Sequence, residues 1–144
     1  MDFKKLLLST LISGFGMWVV AGVWHNLIMV NLYKEVHATH KGIGILLLAY
    51  FVLALLMSYL YSRVFNGEKP ITEGIKLGAV IGVLWVFPHG LAMAGAHGDS
   101  ISYVFKNTAW HIIEQGIGGL IIGFIYYKTM KQLSSKKSYS NANT

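Results

Sequence analysis

Four stretches of this chain are apolar over a length that matches a lipid bilayer, and that fact limits its fold more than any other. A helix rising 1.5 Å per residue crosses the hydrocarbon layer in about 20 residues. Residues 6–30, 43–61, 75–94 and 109–127 meet that requirement. Within lipid each segment must satisfy its own backbone polar groups, so each is expected to be a helix. The predicted fold class is therefore all-α: an integral membrane four-helix bundle over residues 1–131, up-down-up-down. Residues 132–144, rich in Ser, Lys and Asn, read as a disordered cytoplasmic tail. The apolar run near the N-terminus is longer than the core of a signal peptide and no clean cleavage site follows it, so it reads as an uncleaved first helix.

The formal charge of +6 comes from 12 basic residues against 6 acidic ones. The lysines flank the spans instead of forming a stripe with interleaved aromatics, which points to anchoring at a lipid bilayer and away from nucleic acid. With no cysteine in the chain, disulfides, thiolate metal sites, cysteine nucleophiles and iron–sulfur clusters are excluded. Nine basic residues (Lys4, Lys5, Arg63, Lys69, Lys76, Lys128, Lys131, Lys136, Lys137) fall on one side of the threaded bundle. Lys34, Lys41 and Lys106 fall on the other. This asymmetry predicts that both termini face the cytoplasm. Tyr59, Tyr61, Phe65, Tyr126 and Tyr127 would mark the inner interface, and Trp24, Tyr33, Tyr103 and Trp110 the outer one. The spans imply a short outer turn at 33–42, an inner turn at 62–73 and a longer outer loop at 95–108.

Helices in lipid associate through small residues that let their backbones approach. Gly74, Gly78 and Gly82 recur every four residues on the third span, and Gly119 with Gly123 repeats the spacing on the fourth. Such glycine-zipper faces serve either packing inside one chain or a homodimer.

Trp18 and Trp24 in the first span, Thr72-Glu73-Gly74 with Gly78 and Gly82 at the third, and Trp110-His111 with Gly118-Gly119 and Gly123 in the fourth carry a resemblance. Over residues 11–127 the chain resembles an uncharacterised (domain of unknown function) family of small four-helix bacterial inner-membrane proteins. The resemblance implies a multi-pass protein of the bacterial inner membrane, and brings no activity or site residues with it.

All six histidines, His25, His37, His40, His89, His97 and His111, fall on the outer side of the threaded bundle. His25, His89 and His111 each lie about one to one and a half turns below the outer ends of their spans. Glu114 follows His111 by three residues and shares its helix face, with Asn107, Gln115 and Gly118 extending the polar stripe. Gly22, His25, Asn26 and Met29 share a face of the first span, and Pro88 is expected to kink the third and free a carbonyl beside His89. A carboxyl inside a span is a functional candidate by default, because exposure to lipid is costly. His37 and His40, next to Lys34 and Lys41, read as a solvated turn, and His97-Gly98-Asp99 as a flexible loop.

Three readings stay open. In the first, His25, His89, His111 and Glu114 line an outer-half pocket for zinc or another divalent metal ion, or two imidazoles, or imidazole with Met29 or Met93, hold haem b or copper. In the second, the polar groups join helices and the chain is a structural or accessory subunit of a membrane complex. In the third, His111 and Glu114 form the proton-transfer pair of a membrane enzyme or carrier. Against each stands a plainer role: an interfacial histidine can be an amphipathic belt residue, and Glu114 a hydrogen-bonded packing carboxyl.

Overall fold

The computed structural model of the chain describes residues 2–28, 40–98 and 100–142. It contains four helices, α1 (Phe3–Val23), α2 (His40–Val64), α3 (Pro70–His97) and α4 (Ile101–Ala142), with a π-helical turn, Trp24–Ile28, continuing α1. No strand occurs among the described residues. All four helices have a stretch long and apolar enough to cross a membrane: Phe3–Asn26, Gly42–Val64, Pro70–His97 and Ile101–Thr129. Leu48, Val80, Leu84 and Phe105 are among the many large apolar side chains left more than half exposed. A water-soluble fold would bury such a surface, whereas lipid solvates it.

The helix ends follow local chemistry. Asp2 caps α1, its carboxylate accepting from the backbone N–H groups of Lys4 at 3.1 Å and Lys5 at 3.4 Å. Asn66 and Gly67 turn the chain between α2 and α3; the φ of 92° at Gly67 is one that only glycine adopts readily. Pro70 then occupies the first turn of α3, where its missing N–H costs nothing. At the other end of α3, Gly98 closes the helix in a left-handed conformation and donates its N–H to the Ala94 carbonyl at 2.9 Å.

Two expectations about connections change. The long outer loop expected at 95–108 is largely helical, because α3 reaches His97 and α4 resumes at Ile101. Hydropathy marks what fits in hydrocarbon, not where backbone hydrogen bonding stops. For the same reason α4 continues past the apolar span, and the backbone is helical through Ala142 where a tail was expected. Most of the 33–42 turn lies outside the described residues.

α4 is the central element. Of its most apolar stretch 56% is buried, against 39% for α1 and 22% for α2 and α3. Its largest interface is with α3. A Cβ placed on Gly74 would collide with the Gly119 backbone, one on Gly78 with the Gln115 carbonyl, and one on Gly82 with the His111 carbonyl. Those partners run backward along α4 as the glycines run forward along α3, so the two helices are antiparallel, backbone against backbone. On the opposite flank Met17, Leu53, Ala54, Met57, Tyr61, Ile122 and Tyr126 build the apolar core between α1, α2 and α4. Tyr61 is wholly buried there and places its hydroxyl by donating to the Pro70 carbonyl at 2.8 Å. The buried hydroxyls of α1 look after themselves: Ser9 and Thr10 donate to the Leu6 carbonyl and Ser13 to that of Ser9.

Candidate functional site: a buried carboxyl on the central helix

Glu114 sits near the middle of the apolar stretch of α4, Ile101–Thr129, with none of its side chain exposed. His111, one turn away on the same face, brings Nδ1 to 2.8 Å from Glu114 Oε2 and keeps 18% of its side chain exposed. The approach is short but poorly aligned as a hydrogen bond, since both groups hang from one helix three residues apart. Across the interface from α2, the Tyr50 phenol faces the same carboxyl. α1 contributes Met17, packed against Gly118 one turn along, and α3 closes in with the glycines opposite Gln115 and His111.

The polar atoms of this segment are under-satisfied to an unusual degree. Seven buried side-chain nitrogen or oxygen atoms among the described residues lack a well-formed hydrogen bond, and five of them belong to Trp110, His111, Glu114 and Gln115. Native proteins tolerate few such atoms, and each costs on the order of 1–3 kcal/mol. Their concentration on one and a half turns of α4 singles out this segment from the rest of the bundle.

The described histidines do not converge as a metal set. Among the described residues no three His, Asp or Glu side chains come together to hold an ion. Of the described histidines, His111 is the one that meets Glu114. His25, half-buried in the π-turn, donates from Nδ1 to the Ala21 carbonyl of its own helix at 2.9 Å, and neighbouring Asn26 does the same to Gly22 at 2.8 Å. His89 is exposed and lines a cleft between α3 and α4 with Trp85, Met93, Tyr103 and Asn107. The reason is rotational. The buried ridge of α3 runs in fours through Gly74, Gly78, Gly82, Val86 and Ala94, and His89 stands one residue, about 100°, off that ridge. Equal depth on three helices fixes height and leaves direction open.

The remaining candidates separate in the same way. His97 is the exposed last residue of α3 and His40 the first residue of α2. His37, Met29 and Asp99 lie outside the described residues. Gly74, Gly78, Gly82, Gly119 and Gly123 all face the α3/α4 contact, Gly123 against the backbone at Pro70 and Ile71. The two rows engage one another, so a dimer through either would have to open this interface. Tyr50 is the site residue that sequence reasoning missed. Its signal was a lone phenol in an otherwise apolar run, whose hydroxyl needs a partner inside the bundle.

Comparison with family models, curated proteins and solved structures returns no match to this chain.

Proposed function

We propose that this chain is a multi-pass membrane protein whose His111–Glu114 pair takes up and releases a proton inside the bundle, as the working centre of a small carrier or enzyme. The observation that carries this reading is the fully buried Glu114 carboxyl with His111 Nδ1 2.8 Å away. A carboxyl held in a bilayer away from lipid, beside an imidazole and a phenol, is suited to proton exchange. The titratable groups that face it are His111 from α4 and Tyr50 from α2, while α3 meets this part of α4 with glycine and α1 with Met17. The absence of a three-ligand set among the described residues takes support from the metal reading. Haem b loses support with it, because His25 and His89 point elsewhere.

In this reading the bundle runs up-down-up-down in a bacterial inner membrane with both termini cytoplasmic. The order of contacts supports the threading: Trp24 meets Trp110 and Met17 meets Gly118, so α1 and α4 oppose. Tyr50 meets Glu114 and Tyr61 meets Tyr126, so α2 and α4 run together. The nine to three basic asymmetry supports the orientation.

Infrared difference spectroscopy in lipid vesicles tests the proton site. Acidification between about pH 9 and 4 should raise a carboxylic-acid carbonyl band that is missing from Glu114→Gln and retained in Glu73→Gln. Identical difference spectra for wild type and Glu114→Gln would reduce Glu114 to a packing group and end the proposal.

A further inference from the structure

The proton site needs a route to water, and the packing of the described residues around it leaves one direction. From α2 the way is filled by Tyr50, from α1 by Met17 against Gly118, and from α3 by backbone packed on backbone at Gly78 and Gly82. Along α4 itself the picture differs. Tyr103, Asn107, His111 and Glu114 share a face at helical spacing. Exposure falls steadily along it, from 49% at Tyr103 through a half-buried Asn107 and the 18% exposed side chain of His111 to zero at Glu114. At the open end of this stripe, beyond the last contact of glycine with the α4 backbone at Gly82, α3 and α4 line a half-open cleft of about 620 Å³. Its floor is Val86, Gly90 and Val104, and its polar lining is His89, Tyr103 and Asn107.

We infer that this cleft is a water-filled vestibule through which protons reach His111, and that His111 relays them to Glu114. The inference rests on the proton reading of the pair and adds its access route. The volume is many times that of one water molecule, and in a wall that is otherwise mostly apolar, with Trp85 and Met93 at its side, His89 and Asn107 supply the polar partners that water requires. Asn107 sits one turn above His111, about 6 Å along the helix axis. It therefore marks the inner end of the vestibule, and the partly exposed imidazole stands between it and the sealed carboxyl. His111 passes a proton without net consumption: one ring nitrogen accepts from water while the other gives up its proton to the carboxylate.

The chain has no cysteine, so single thiols can be introduced without background. Asn107→Cys and, as an independent second site, His89→Cys are reconstituted into vesicles and exposed to a charged, membrane-impermeant thiosulfonate, applied to each face in turn. Both should react from one and the same face, and Leu84→Cys, 66% exposed on the outside of α3, should not. Labelled Asn107→Cys should then show proton exchange at Glu114, followed by its infrared band, slowed about tenfold or more. Reaction with an apolar maleimide but not with the charged reagent would show a lipid-filled cleft and overturn the inference. So would labelling that leaves the exchange rate unchanged. In either case the Glu114 band of the unlabelled protein would persist, whereas failure of the proton reading itself removes that band.

Discussion

Trp24 and Trp110 lie face to face, with ring centroids 4.0 Å apart and planes 7° from parallel. Trp24 opens the π-turn at the end of α1, and Trp110 is the residue before His111. The stack therefore ties a local widening of one helix to the polar segment of another. π-turns inside helices accompany functional positions more often than chance, because the extra residue redirects side chains. Here it turns His25 and Asn26 back onto their own carbonyls and leaves the indole to hold α4.

If the stack holds the two helices together, its energy should appear as coupling. Trp24→Ala and Trp110→Ala, combined in a double-mutant cycle of unfolding in mixed detergent, should show about 1 kcal/mol of interaction. Strictly additive losses would mean the rings only share a surface.

What the sequence made legible follows from one-dimensional physics. Span length and apolar composition located all four helices, and the four-residue recurrence at Gly74, Gly78 and Gly82 marked a face now seen against α4. His111 and Glu114 were readable as neighbours because i,i+3 spacing fixes a common face on any helix. His25 and His89 were not readable, because whether they point at His111 depends on the rotation of three separate helices. A single π-turn shifts His25 out of phase with the α-helical count. The Tyr50 contact with Glu114 is between helices, and no spacing rule within one segment reports it. The ends of α3 and α4 escaped for another reason: His97 and Ile101 extend helices beyond the hydrocarbon-matched core, where hydropathy carries no signal.

Gly78 offers the sharpest packing test. Any side chain there must displace the Gln115 carbonyl, which belongs to the backbone of α4 and cannot rotate away. Gly78→Leu should cost about 2 kcal/mol or more in detergent stability. Val80→Leu, on a position 55% exposed, should stay within about 0.5 kcal/mol of the parent. Gly95→Ala should also be silent, since nothing lies within 4 Å of the added carbon. Equal melting of the Gly78 and Val80 variants would remove backbone contact as the basis of the α3/α4 interface.

Orientation can be read with thiols at the two ends of α3. Asn66 and His97 are both exposed, just before and at the end of the same helix. In intact cells an impermeant reagent should modify His97→Cys at once and Asn66→Cys only after lysis. The opposite pattern would invert the protein and place the cleft on the cytoplasmic side.

The last test concerns the phenol that faces Glu114 from α2. Tyr50→Phe keeps the ring and its packing and removes only the hydroxyl directed at the carboxyl. A polar hydroxyl beside a carboxylic carbonyl lowers its stretching frequency. Removing that hydroxyl should therefore move the Glu114 band of the protonated form upward. Tyr59→Phe serves as the control, because that exposed hydroxyl accepts from Arg63 Nη2 at 3.2 Å on the outside of the same helix. It should leave the band in place. The two variants together separate a phenol that holds the carboxyl in position from one that only occupies space beside it, because an unmoved band in Tyr50→Phe would leave His111 as the sole side chain acting on Glu114.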